Sequence, residues 1–280
     1  MMVETFWTGH TVRDAPFGSA QESLDHLERR SSDYPLFREL MGLWGDHRND
    51  VVLDYGCGPA NDLVGFAVYG KAKRLIGADV SQTALSLARR RLDLHGVNAT
   101  LLKVSDDVPA LPLPSESVDY IYCEGVLHHV SHPDLILAEF HRVLRPGGTA
   151  AIMVYNYESL YLHLYVAYQR QILEGFAPGP VEEAFRRTTD RASAPPISVP
   201  YRPADFAAMC RAAGFTVDFG GGYYAALELE LFRTIGADAI ADGRLAAEHR
   251  DFLSGLRMSK GYPMHDGLPV GIGGVYQLSR

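Results

Sequence analysis

Short apolar runs alternate along the chain with stretches of helical period. Val51-Val52-Leu53-Asp54-Tyr55 is a β-rich run that breaks into Gly56-Cys57-Gly58-Pro59 and then into Asn61-Asp62-Leu63-Val64-Gly65-Phe66, which predicts strand, glycine turn and helix. Arg74–Asp79 predicts a second strand, and Ser81 caps a helix over about Gln82–His95 whose apolar face holds Ala84, Leu85, Ala88 and Leu92. Strands near Thr100–Val104, Val118–Cys123 and Thr149–Val154 follow, with a helix over Pro133–Leu144 stopped by Arg145-Pro146-Gly147-Gly148. Right-handed crossovers then require an α/β, doubly wound, Rossmann-like sheet with helices on both faces.

Beyond Tyr155 the pattern changes. Glu158–Leu173 is helical in period and carries Tyr161, Tyr165 and Tyr168 at i, i+4 and i+7, a packing face, a dimer surface or a substrate wall. Residues 175–200 are rich in proline, alanine and charge, which predicts a cap insertion. A helix over Pro203–Ala213, a strand over Phe215–Phe219, a mainly helical stretch over Leu227–Arg257 and a terminal antiparallel strand over Gly273–Leu278 complete the reading, with Tyr262–Gly267 as a turn-rich loop that could bring in His265. The expected organisation is an N-terminal helical extension or lid over 1–49, a core over 50–155, a helical cap over 156–212, and a C-terminal part of the core sheet over 213–280.

Composition narrows the function. The 280 residues are 47% hydrophobic and 21% charged, enough for a substantial core. With 26 basic against 34 acidic residues the net charge is −8 and no basic run occurs, so nucleic acid is a poor expectation. Cys57, Cys123 and Cys210 have neither disulfide nor zinc-site spacing, which fits a reducing cytoplasm. No export signal or apolar run of about 18 residues appears, so no membrane partner is expected. His128, His129 and His132 form His-His-x-x-His in a loop with no fixed ligand face, and no metal is expected.

A strand ending in an acid before Gly-x-Gly suits a ligand held close to backbone N–H groups. A nicotinamide dinucleotide would favour glycine where Asn61 stands, and Asp54 would repel a pyrophosphate while tolerating a zwitterionic, cationic ligand such as an adenosyl sulfonium. The segments Leu53–Pro59, Gly77–Ser81, Ala110–Asp119, Leu127–Val130 and Leu144–Gly148 resemble, in order and spacing, class I S-adenosylmethionine-dependent methyltransferases, most of all the small-molecule and quinone-biosynthesis branch. The resemblance covers roughly residues 50–155.

That resemblance implies S-adenosylmethionine as cofactor and S-adenosylhomocysteine as product. It implies Gly56, Cys57 and Gly58 against the methionine part, Asp54 near its amino group, Asp79 on the ribose hydroxyls and Val80 over adenine. It puts the adenine-side acid at Asp107, with Val108 giving a backbone N–H and Asp106 as the alternative register. Glu124 and Gly125 would pack around the transferred methyl, and Phe6–His10 through Phe17 would close as a flap. Because methyl transfer needs a base only when the acceptor loses a proton, His128, His129 and His10 are the catalytic candidates. Trp7, Phe17, Tyr155, Tyr161, Tyr165 and Arg202 are the candidates for contact with a small-molecule acceptor. The loop after the fourth strand lacks the Pro-Pro-Tyr and Pro-Cys patterns of base-methylating enzymes. A tRNA- or protein-directed enzyme and a non-catalytic cofactor-binding subunit are the alternatives, and a homodimer through the Tyr161 face is a further expectation.

Overall fold

The computed structural model describes residues 2–11, 17–106, 108, 110–189 and 194–280. Three helices lead in: α1 (Met2–Gly9), α2 (Ala20–Asp33) and α3 (Phe37–Met41). The alternating unit follows as β1 (Val51–Tyr55), α4 (Asn61–Val68), β2 (Arg74–Asp79), α5 (Gln82–Leu94), β3 (Ala99–Lys103), β4 (Val118–Glu124), a 3₁₀ turn (Leu127–His129), α6 (Pro133–Val143) and β5 (Leu144–Tyr155). A π-helix (Tyr161–Leu173), α7 (Val181–Thr188), α8 (Pro203–Ala212), β6 (Thr216–Tyr223), α9 (Ala226–Ala241) and α10 (Ala247–Gly255) come next. The short strands β7 (Arg257–Ser259), β8 (Tyr262–His265) and β9 (Leu268–Pro269) and the final β10 (Gly273–Ser279) close the chain.

The main sheet runs β3-β2-β1-β4-β5-β10-β6, parallel from β3 to β5, with β10 antiparallel to both of its neighbours. Strand β1 is buried along its whole length, as a central parallel strand covered on both faces must be. Its side chains alternate between two cores: Leu53 and Tyr55 pack with Ile121 and Phe140, whereas Val52 packs with Val64, Phe66 and Tyr122. Parallel strands thereby deliver Asp54, Asp79, Glu124 and Tyr155 to one edge, and antiparallel β10 starts at that same edge.

The helices beyond β5 form one layer drawn from both expected segments. Leu160, Leu164 and Tyr168 of the π-helix region pack with Leu231 and Ala239 of α9 and Leu253 of α10. Glu228 locks this layer to the sheet: its buried carboxylate accepts from the N–H groups of Tyr161 (2.8 Å), Ala225 (2.7 Å) and Ile272 (3.2 Å). Burial pushes that carboxyl up to about 8, against the pull of the three N–H groups.

Two expectations are corrected. Tyr262–Gly267 is not a loop but part of a three-stranded sheet, because Lys260-Gly261 and Asp266-Gly267 each supply two consecutive residues of positive φ, the geometry of a tight hairpin turn. The three tyrosines of the expected stripe do not share one face. A π-helix winds wider than an α-helix, so i and i+7 no longer share a face: Tyr168 is buried against α9 and Tyr161 packs with Phe185 of α7. No helix among the described residues is long and apolar enough to cross a membrane.

Candidate active site

A cavity of about 420 Å³ opens at the edge where β1, β2, β4 and β5 end. Its floor is the turn from β1 into α4. Gly56 (φ +79°) and Gly58 (φ +50°) adopt left-handed backbone that side chains resist, and a Cβ on Gly56 would lie 2.1 Å from Val126 Cγ2. At Gly58 a Cβ would meet nothing within 4 Å, so backbone there faces open space. The turn is tied to β2 by the N–H groups of Gly56 and Cys57, which donate to the Ala78 carbonyl at 2.7 and 3.1 Å. Asp79 completes the tie, its carboxylate accepting from the N–H of Gly58 (2.9 Å) and of Ser81 (2.7 Å).

Acidic groups dominate this part of the cavity. Asp54 is 2% exposed, and its Oδ2 has no hydrogen-bond partner among the described residues. Burial, reinforced by the charges of Asp62 and Glu124, pushes its carboxyl well above the ordinary carboxylate range, although Arg30 pulls the other way. Arg30, from α2, is buried between the acids: Nη1 donates to both oxygens of Asp62 (2.9 and 2.8 Å) and Nη2 lies 2.7 Å from Glu124 Oε2. Burial alone would lower the guanidinium, but Asp62 and Glu124 together hold it above its usual value. Glu124 Oε1 also accepts from the Tyr223 hydroxyl at 2.9 Å. One guanidinium therefore faces three carboxylates, an arrangement that favours a cationic ligand beside the unpartnered Asp54 Oδ2.

The three histidine candidates have different environments. His129 lines the cavity, and its Nδ1 lies 2.7 Å from the Ile197 carbonyl oxygen. A carbonyl only accepts, so Nδ1 carries the proton and Nε2 the lone pair. Burial holds the ring neutral, down at about 4. His128 is fully buried outside the cavity lining; it stacks on Tyr155 at 3.6 Å and its Nδ1 accepts the Tyr155 N–H at 3.1 Å, which occupies its lone pair. His10 is exposed at the cavity rim, stacked on Phe6 with Nδ1 on the Phe6 carbonyl.

Asp54, Gly56, Cys57, Gly58, Asp79, Val80, Glu124 and Gly125 all line this cavity. So do Trp7, Tyr155, Tyr161 and Tyr165, with Trp7 4.9 Å from the His129 ring. Three other expected contacts lie elsewhere. Phe17 packs on His26 beneath the Arg91 guanidinium, Arg202 pairs with Glu248 of α10 over the Tyr157 ring, and Val108 is 63% exposed. Asp107 lies outside the described residues. Its alternative Asp106 lines the cavity, and its carboxylate accepts from the Ser131 hydroxyl (2.6 Å) and N–H (3.1 Å).

Arg30, Asp62 and Tyr223 belong to this acidic cluster and were not expected. Asp62 had a signal, an acid in the first turn of the helix that follows the glycine loop. Arg30 had none, since it meets Asp62 and Glu124 only through the docking of α2 on α4.

Residues 52–148 match the model of a family described as a methyltransferase domain. The probable methyltransferase ltbC of Aspergillus luteorubrus is 29% identical over 181 residues, which is 62% of this chain and 59% of that protein. The ubiquinone/menaquinone biosynthesis C-methyltransferase UbiE of Escherichia coli is 27% identical over 140 residues, 45% of this chain and 56% of its own length. The chain thus spans less than two thirds of these relatives. The crystal structure of the YcgJ protein from Bacillus subtilis shares the fold, with a TM-score of 0.54 and 17% identity over 88% of this chain and 97% of that one.

Proposed function

We propose that this chain, whose residues 52–148 are a methyltransferase domain of the class I, S-adenosylmethionine-dependent kind, methylates a small-molecule acceptor in the cavity at the sheet edge. The observation that carries the reading is the buried, unpartnered Oδ2 of Asp54 beside a glycine turn open to the cavity. The residues fit the cofactor. Asp54 would take its ammonium group, the backbone of Gly56, Cys57 and Gly58 its methionine chain, and Asp79 its ribose. The two N–H groups that Asp79 accepts fix the carboxylate plane and leave each oxygen a lone pair for a hydroxyl. Val80 and Asp106, which also line the cavity, would flank its adenine. Bound there, the cofactor supplies an electrophilic methyl group on a positively charged sulfur.

This chain's contribution is positioning and exclusion of water. Trp7 and Val3 of α1 cover the cavity, and Tyr155, Tyr161 and Tyr165 wall the side beyond Glu124. Holding an acceptor in line is worth ~7 kcal/mol or more of the barrier, so a rigid wall matters more than an acid or base. A small acceptor agrees with the net charge of −8, which offers no attraction to a phosphate backbone. The test is incubation of the protein with methyl-labelled S-adenosylmethionine and an extract of the source cells, separated into small-molecule, protein and nucleic-acid fractions. Label in the small-molecule fraction is the expected result. Label in protein or RNA would replace the acceptor class, and cofactor binding without any label would point to a non-catalytic subunit.

A further inference from the structure

The order of strands sorts the cavity lining by chemistry. Asp79, Asp54 and Glu124 stand at the ends of β2, β1 and β4, whereas Tyr155 ends β5 and Ile272 precedes β10. From β2 to β5 is three strand spacings, about 14 Å, so the acidic and aromatic sides are separate regions of one cavity. Tyr161 and Tyr165 of the π-helix and Thr188 at the end of α7 enlarge the aromatic side. No lysine or arginine lines the cavity among the described residues. The carboxylate nearest the boundary, Glu124, is engaged by Arg30 and by the Tyr223 hydroxyl.

These features exclude a charged acceptor on the aromatic side. An anion there would have no cationic partner, and leaving a buried charge unpaired costs several kcal/mol. An ammonium would sit beside the positive sulfur with every nearby carboxylate already committed, and it would have no lone pair with which to attack. Aromatic walls instead reward a flat, apolar ring by edge and face contacts. His129 stands at the boundary, on the 3₁₀ turn that follows β4 and 5.4 Å from the Tyr155 ring, with Nε2 as its lone-pair nitrogen.

We infer that the acceptor is an uncharged aromatic compound bearing a hydroxyl, and that His129 Nε2 receives the hydroxyl proton during transfer. This rests on the methyl-transfer reading above. The hydroxyl oxygen forms the bond to the methyl carbon, the carbon–sulfur bond breaks with its electron pair left on sulfur, and the proton passes to Nε2 and from there to solvent. The neutral ring keeps that lone pair available throughout the neutral pH range.

Three catechols of similar size and different charge test the inference by calorimetry on the full chain saturated with S-adenosylhomocysteine: 4-methylcatechol, 3,4-dihydroxybenzoate and dopamine. The uncharged compound is expected to bind at least ~10-fold more tightly than either charged one. Equal binding, preference for a charged compound, or no binding of 4-methylcatechol at millimolar concentration would overturn the acceptor class. With S-adenosylmethionine, His129→Gln is expected to lower kcat on 4-methylcatechol about 100-fold with KM and S-adenosylhomocysteine affinity within about threefold of wild type. A fall in kcat below ~10-fold, or a bound catechol that wild type does not methylate, would overturn the role of His129. Should His129→Gln not fold, His129→Asn replaces it, and the wild-type binding series stands independently. Failure of S-adenosylhomocysteine itself to bind would instead remove the methyl-transfer reading.

Discussion

Asp54→Asn separates stability from binding in opposite directions. The substitution keeps shape and removes a charge that is 2% exposed, stands among Asp62 and Glu124, and has an oxygen without a partner. An unsatisfied buried acceptor costs ~1–3 kcal/mol, so the ligand-free variant should be as stable as wild type or more stable by up to ~2 kcal/mol. The sign follows from the raised carboxyl. Its folded value lies above its unfolded one, so the proton stabilises the fold at low pH and that stabilisation is lost as pH rises through the folded value. The gain in the variant should therefore vanish near pH 4 and grow as pH rises. Binding should move the other way. A charge-assisted hydrogen bond to an ammonium is worth ~1.5–3 kcal/mol, a loss of about 10- to 150-fold in S-adenosylhomocysteine affinity. Calorimetry at several pH values reads this directly. Wild type must ionise Asp54 to bind, so its affinity should rise with pH, whereas the variant's should be flat. Methylthioadenosine, which lacks the ammonium group, should bind both proteins alike. A variant that binds S-adenosylhomocysteine within about threefold of wild type, or one destabilised by more than ~2 kcal/mol without ligand, would refute the assignment of Asp54.

Arg30→Met leaves Asp62 and Glu124 without their counter-charge beside buried Asp54 and should cost ~3–5 kcal/mol, read by urea unfolding. Gly56→Ala forces a Cβ to 2.1 Å from Val126 at φ +79° and should cost ~3 kcal/mol or more, while Gly58→Ala should cost only ~1 kcal/mol yet weaken S-adenosylhomocysteine binding; equal melting temperatures for the two would contradict this. His129, held at about 4 against an ordinary 6.5, contributes stability that is complete above about 6.5 and lost as pH falls toward 4, by up to ~3 kcal/mol, and His129→Gln should flatten that part of the stability–pH curve. Glu228→Gln turns an NH₂ group toward backbone donors that now share a carboxylate and should destabilise by ~2–4 kcal/mol, with a loss below ~1 kcal/mol arguing against Glu228 as the tie between cap and sheet.

The sheet and the acid-and-glycine side of the cavity were legible in the chain because both are local. An apolar run, two glycines and an acid within residues 51–58 specify strand, turn and open backbone by rules of a few residues' range, and β2 repeats the pattern at Asp79. Parallel strands then bring those acids to one edge whatever the loops do. The rest depended on contacts distant in sequence. Arg30 is 32 residues from Asp62 and Tyr223 is 99 from Glu124, and no periodicity links such pairs before α2 and β6 dock. The role of each histidine was likewise undecided between neighbours of identical type. His128 and His129 differ in whether they line the cavity and in the backbone group that Nδ1 meets, the Tyr155 N–H for His128 and the Ile197 carbonyl for His129. The tyrosine stripe failed for the same reason: helix width is set by how residues 161–173 pack between α7 and α9, not by the spacing of their rings. Sequence alone determined the fold and which acids and glycines of the β1 and β2 ends line the cavity. Tertiary packing decided which side chains wall the other side of the cavity, because burial and hydrogen-bond partners belong to the assembled layers and not to any one segment.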